Sequence, residues 1–257
     1  MELDQKINRQ KNQKSEVSFE VVAPAFNEAD SLQELIRRFA IAAKDAGFSE
    51  DTFSLVIVNN GSSDDSRNTL SKIMQTDLGN WFRVIDLKEN LDYGHGIWSG
   101  LETTQAKYIG YTHADLQCDP RNVFKAYQKL MLSSSDKTLV KGKRNGRNWK
   151  DVTVTRIFET LANQILRLDV QEINAQPKVF PQKLLSFITD PPRTFAFDLY
   201  LLFMARKNGF LIEEIEVSFP PRRHGISKWA ATTLGRYRTI LGIINYILKL
   251  RKSEGSI

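Results

Sequence analysis

Cys118 is the only cysteine in this chain of 257 residues, so no disulfide can close within it. That scarcity suits a reducing compartment, and the cytoplasm is the expected location. The thiol is read as incidental, with a reactive nucleophile as the alternative. Also missing is any stretch of the roughly 18 to 20 apolar residues that a bilayer-spanning helix needs. Residues 1–16 are dominated by Lys, Gln, Asn and Glu and have no apolar core. They predict a disordered tail rather than a secretory leader. No Gly/Ser/Pro-rich linker, internal repeat or interior low-complexity segment interrupts the remainder.

What is present is ordinary for a folded soluble protein: 41% hydrophobic and 26% charged residues. The length suits one large α/β domain or two small ones. The formal net charge is +6, and the basic excess is uneven. Lys141, Lys143, Arg144, Arg147 and Lys150 form one cluster, and Arg222, Arg223, His224 and Lys228 a second. Arg236, Arg238, Lys249, Arg251 and Lys252 form a third. Such charge fits nucleic acid, an anionic membrane or a phosphorylated substrate, and any one cluster is equally a solvated surface. No nucleic-acid-binding module accompanies them, so no nucleic-acid partner is expected.

From Val17 strands alternate with helices. SFEVVAPAF reads as a strand, and Asn27-Glu28-Ala29-Asp30-Ser31 opens a helix to about Ala46, its apolar positions at helical spacing. FSLVIVNN is a second strand, and Gly61-Ser62-Ser63-Asp64 a turn and cap for a helix of about a dozen residues. WFRVIDL, KYIGYT and TLVKGKR are further strands, separated by helices over GHGIWSGLETTQA and PRNVFKAYQKLML. The alternation implies right-handed crossovers and a mostly parallel sheet. After Asn148 the rhythm changes to a helix over about 152–168, a loop and short strand near 174–180, a helix over 195–208 and the strand FLIEEIEVSF. The shift marks two halves of one domain.

Ligands of open parallel sheets bind outside the carboxyl ends of the strands. Three polar motifs fall at such ends: PAFNEAD, NNGSSDDS and HADLQCD. In the stretch KYIGYTHADLQCDPRN, buried-strand residues run into His113-Ala114-Asp115, which puts two ligand-type side chains at i and i+2 on one face. That arrangement can hold a hard cation and a diphosphate.

Together with the Tyr93-Gly94-His95-Gly96 segment and the late RRHGISKW, these motifs resemble the large inverting glycosyltransferase family that contains dolichyl-phosphate mannose synthase. The likeness runs from about Val17 to Trp229. It implies a GT-A fold: an α/β sheet, mostly parallel, with a Rossmann-like nucleotide half to about residue 148 and an acceptor half to 231, followed by an amphipathic basic helix over 232–257. It also implies a UDP- or GDP-sugar donor and Mg²⁺ or Mn²⁺.

The site residues follow from that resemblance. Pro24, Phe26 and Glu28 would face the nucleoside, with a helix N-terminus as the bland reading of the Asn27–Asp30 acids and caps. Asn59 and Asn60 stand where the family carries Asp. They can contact a base, form an Asn-Gly turn, or do both. Asp115 would bind metal and diphosphate, with Gln117 adding a carbonyl and Ala114 lining the donor. His113 replaces the family's first Asp. It would bind Mn²⁺ or a phosphate, or stand at the strand edge without a role. Asp119 reads as a turn and cap. The N–H groups around His95 would offer an anion site, or form a structural turn.

Asp169, Glu172, Asn174 and Gln176 are candidates for sugar or acceptor contact. A phosphate acceptor is already anionic; a hydroxyl acceptor would need a carboxylate base, for which Asp169, Glu172 and Asp198 compete. Asp198, amid the apolar FAFDLYLLFMA, requires a partner, which makes a buried structural pairing the alternative. Arg222, Arg223, Ser227 and Lys228 would clamp donor and acceptor phosphates, or form a solvated charge run. The apolar stripe Leu234, Tyr237, Leu241, Ile244 and Leu248 would lie in a membrane interface, pack on the protein or join a homodimer. The expected activity is sugar transfer with inversion to polyprenyl phosphate or a cell-surface glycan intermediate, at the inner membrane face. The alternatives are a related enzyme with a soluble or protein acceptor and a degenerate, non-catalytic nucleotide-sugar-binding protein.

Overall fold

The computed structural model describes residues 17–145, 159–218, 242 and 244–252. In chain order its elements are β1 (Phe19–Ala25), α1 (Ala29–Asp45), β2 (Phe53–Asn60), α2 (Ser66–Ile73), β3 (Phe82–Leu87), α3 (Tyr93–Leu101), β4 (Tyr108–Tyr111), α4 (Arg121–Leu132) and β5 (Thr138–Asn145). Helix α5 (159–166), β6 (Lys178–Pro181), α6 (Phe197–Lys207), β7 (Leu211–Ser218) and helix α7 (244–252) follow.

Seven strands form one sheet in the order β3-β2-β1-β4-β6-β5-β7. Strand β6 runs antiparallel to both β4 and β5, while the remaining pairs are parallel. The alternating rhythm up to β5 gives the parallel part. The reversed β6 has no such rhythm to announce it, because it is reached through the irregular stretch after α5.

The sheet carries a core on each face, and the pleat divides the strands between them. Val21, Ala23, Leu55 and Ile57 face one layer, where Leu32, Leu35, Ile36 and Phe39 of α1 pack beside Phe124 of α4. Val22, Val56 and Val58 face the other, covered by Ile97 and Leu101 of α3, Ala162 and Leu166 of α5, and Phe197–Ala205 of α6. Each such fully buried side chain contributes about 1.5–3 kcal/mol. Ile247 and Leu250 of α7 lie in this second core. Of the stripe itself, Ile244 is half-buried and Leu248 remains 47% exposed, so the helix packs through the neighbouring Ile247 and Leu250. Leu234, Tyr237 and Leu241 lie outside the described residues, as do Arg222, Arg223, Ser227 and Lys228.

Because β1, β2 and β4 are parallel, with Ala25 beside Asn59 and Val22 beside Tyr111, their carboxyl ends open on one edge. The site is built there. At the other end of the strands the buried Glu20 carboxylate accepts from Arg83 and from the N–H groups of Gln105 and Ala106, fixing that edge.

Candidate active site

The loops after β1 and β2 lock into each other. Asn27, in the left-handed region at φ 57°, donates its N–H to Ser62 Oγ at 3.0 Å and accepts from Ser63 N–H at 2.9 Å. Asp64 accepts from Ala29 N–H at 3.1 Å and from Ser66 N–H, at the start of α2, at 3.0 Å. Burial opposes its ionisation, but the Ser66 hydroxyl and the backbone donors outweigh it and lower its pKa. Glu28 is half-buried and accepts from the Ser31 hydroxyl at 3.0 Å. Pro24 and Phe26 are half-buried alongside.

Asn59 and Asn60 are both buried. Asn59 Nδ2 donates to Asp86 at 2.6 Å and its Oδ1 accepts from Ser62 N–H at 3.4 Å, so its amide braces β3 and the turn. Asn60 Nδ2 donates to the Asp92 carbonyl at 3.2 Å, and its Oδ1 is left without a partner among the described residues. It lies against Gly96: a Cβ there would come within 2.8 Å of Asn60 Nδ2.

The start of α3 is already occupied by protein. Tyr93 N–H donates to Asp92 Oδ1 at 2.7 Å, His95 N–H to the Arg193 carbonyl at 2.9 Å, and Gly96 N–H to the Asp92 carbonyl at 3.2 Å. The anion site expected around His95 is thus replaced by a turn pinned to the 189–195 segment. A Cβ on Gly94 would stand 2.4 Å from the Pro192 carbonyl, so only glycine permits this approach.

At the end of β4, Thr112 N–H continues the pairing to Val22, and His113-Ala114-Asp115 follows. Asp115 Oδ1 accepts from Gln117 N–H at 3.1 Å, a turn that places the carboxylate at the rim beyond the buried Ala114. Asp119 accepts from Arg121 N–H at 2.9 Å and pairs with its guanidinium at 2.6 Å, a helix-start role. Burial lowers the His113 pKa against the opposing pull of Asp115 and Asp198, so the neutral imidazole prevails near pH 7. Its ring lies 5.9 Å from that of Tyr93.

Beneath this rim sits a polar cluster that the sequence did not assemble. Asp198 of α6 is 1% exposed. Its Oδ1 accepts from Lys178 Nζ at 2.5 Å, Tyr111 Oη at 2.7 Å and Gln176 Nε2 at 3.1 Å, and its Oδ2 from Tyr93 Oη at 3.1 Å. Lys178 is fully buried; burial draws its pKa down and Asp198 opposes that. Burial, then Asp198, pushes both tyrosine hydroxyls well up, so they stay protonated donors. Gln176 Oε1 has no partner among the described residues. Arg144 pairs with Glu172 at 2.5 Å, whereas Asp169 is exposed and joins none of the cluster's contacts.

Lys178, Tyr93 and Tyr111 were missed. The signal available was a lysine inside the otherwise apolar KVFP strand, which demands a buried counter-charge just as Asp198 does. A groove of about 580 Å³ at the opposite edge, lined by Gln105, Lys107, Tyr108 and Lys183, contains none of the candidate residues.

Among the described residues no three His, Cys, Asp or Glu side chains gather closely enough to cage a metal. Mg²⁺ does not need such a cage, because it commonly takes one or two protein carboxylates and completes its shell with substrate phosphates and water. The Asp115 carboxylate with the neutral His113 imidazole and the Gln117 amide fits that partial donor set.

The family model described as Glycosyl transferase family 2 matches residues 20–190. Among curated relatives, the undecaprenyl-phosphate 4-deoxy-4-formamido-L-arabinose transferase of Pseudomonas fluorescens is 24% identical over 219 residues, covering 83% of this chain and 60% of the relative. The dodecaprenyl-phosphate galacturonate synthase of Rhizobium johnstonii is 22% identical over 240 residues, covering 90% of this chain and 67% of the relative. The chain thus spans about 60% to two thirds of the length of these relatives. Among solved structures, glucosyl-3-phosphoglycerate synthase of Mycobacterium tuberculosis with Mn²⁺, UDP and glucosyl-3-phosphoglycerate superposes with a TM-score of 0.67 at 17% identity, covering 95% of this chain and 83% of that one. The same synthase is also known with Mg²⁺ and UDP. The likeness establishes the GT-A fold.

Proposed function

The chain belongs to glycosyl transferase family 2, and from that premise we propose that it transfers a hexose from a nucleoside-diphosphate sugar to polyprenyl phosphate, inverting the anomeric carbon. The donor's base would lie over the locked loops after β1 and β2, with Pro24, Phe26 and Glu28 nearest it. The diphosphate would meet the rim at Asp115. Mg²⁺ or Mn²⁺, when bound by Asp115, His113 and Gln117, would neutralise charge on the departing diphosphate.

One observation carries the choice of acceptor: of the three carboxylates weighed as base, Asp198 and Glu172 are engaged by other side chains and Asp169 is exposed outside the cluster. Asp198 accepts from four donors, three on Oδ1 and one on Oδ2. Glu172 is held by Arg144. A hydroxyl acceptor would need one of them to take its proton. A phosphate is already a nucleophilic anion and needs none, and the two curated relatives are named for polyprenyl-phosphate substrates. Asp198 in this reading is a positioning residue, orienting Tyr93, Gln176 and Lys178 under the site. Arg222, Arg223 and Lys228 would supply cations to the phosphates, and Ser227 a hydroxyl donor.

Among the described residues no helix is long and apolar enough to cross a membrane. A polyprenyl acceptor would be met at the inner membrane face. The test is equilibrium binding and hydrolysis across UDP- and GDP-sugars with and without Mn²⁺. One donor should bind and turn over slowly in a metal-dependent way, whereas no binding to any donor would overturn the reading.

A further inference from the structure

Phe195 is a large apolar side chain left 40% exposed, and it stands at the mouth of the candidate site. Its ring stacks on Tyr93 with centroids 4.8 Å apart and planes 16° from parallel, and Tyr93 in turn lies 5.9 Å from the His113 ring. Three rings thus run from the end of β4 out to solvent on the acceptor half.

The outermost ring is held rigidly. Tyr93 is fixed by its hydroxyl on Asp198 at 3.1 Å and by Gln176 Nε2 donating to that hydroxyl at 3.0 Å. The segment carrying Phe195 is pinned at Arg193, whose carbonyl accepts from His95 N–H, and at Thr194, whose carbonyl accepts from Phe197 N–H at 3.1 Å. Backbone contact at Gly94 leaves no room for that segment to shift inward. An ordered phenyl ring with one face on a neighbour and the remainder in water is a pre-formed apolar surface. Holding it there costs hydration free energy that only an apolar ligand recovers. Arg193, two residues earlier in the same segment, is also exposed.

We propose that Phe195 is an acceptor-specificity residue: its exposed ring takes isoprene units beyond the first of the polyprenyl phosphate, while Arg193 faces the phosphate. The assignment rests on the polyprenyl-phosphate reading above. It goes further by naming the surface that distinguishes a prenyl chain from a bare phosphate.

The test is equilibrium binding of two probes to the full chain in detergent: undecaprenyl phosphate and the single-isoprene phosphate dimethylallyl phosphate. Phe195→Ala should weaken the long-chain probe about tenfold, the loss expected when part of a phenyl contact is removed. It should change the short probe less than about threefold and donor binding not at all. Phe195→Leu, which keeps an apolar surface, should recover most of the long-chain affinity and guards against a folding defect in the alanine variant. Equal affinities for wild type and Phe195→Ala would overturn the assignment and leave the acceptor reading standing. So would a loss shared equally by both probes and the donor. If wild-type protein binds neither prenyl phosphate, the acceptor reading falls and the assignment falls with it.

Discussion

Replacing Asp198 with Asn removes one charge from a sealed pair and leaves the Lys178 ammonium with no counter-charge. Lys178 is 0% exposed and Asp198 1%, so water cannot substitute. The amide offers one oxygen where the carboxylate had two, and it presents N–H donors to groups that are themselves donors: Tyr93, Tyr111, Gln176 and Lys178. Breaking a buried ion pair on one side costs about 3–5 kcal/mol, a large share of the 5–15 kcal/mol that typically holds a domain together. The double variant Asp198→Leu/Lys178→Met removes both charges and keeps the volume. It should cost only about 1–3 kcal/mol, for the tyrosine and glutamine donors left without an acceptor. The double variant should therefore be about 2 kcal/mol more stable than Asp198→Asn alone. Urea unfolding followed by tryptophan fluorescence reads this directly; with a slope of about 3 kcal/mol per M, the single variant's midpoint falls by about 1–1.5 M. A single variant costing less than about 1 kcal/mol, or a double variant worse than the two singles added, would refute the reasoning.

Three further outcomes follow from the site. Asp115→Asn keeps an Oδ1 acceptor for the Gln117 N–H, so its melting temperature should stay within a few degrees while transfer falls at least about a hundredfold; near-wild-type turnover would contradict the assignment. His113→Asp adds a hard oxygen ligand and should make activity more Mg²⁺-dependent, seen as a lower half-saturating metal concentration; an unchanged metal titration would make His113 scaffold. Burial pushes the Cys118 thiol up to about 11, so iodoacetamide at pH 8 should modify the folded protein far more slowly than the urea-unfolded chain, with mass spectrometry as the readout.

The β1–β5 alternation was legible because buried parallel strands such as FSLVIVNN and amphipathic helices such as α1 carry opposite periodicities. The strand-end motifs could be placed for the same reason, since the carboxyl ends of parallel strands share an edge. What escaped was long-range pairing. Nothing in KVFP states that the strand runs antiparallel between β4 and β5, or that its lysine reaches an aspartate twenty residues later. The need of Asp198 for a partner was readable from its apolar helix; the partner's identity was fixed only by the sheet. Asn59 likewise reads as a ligand or a turn residue, and only the β2–β3 register brings Asp86 beside it.

The acceptor nucleophile is expected to be a phosphate anion, so that no carboxylate base is needed. The decisive measurement is transfer of labelled sugar from the cognate donor to undecaprenyl phosphate, run beside the same assay with undecaprenol. A labelled phosphate product with inverted anomeric configuration is expected, with no product from the alcohol and transfer to the phosphate that persists in Asp169→Asn. Equal transfer to the alcohol, or loss of transfer in Asp169→Asn with the fold intact, would contradict it.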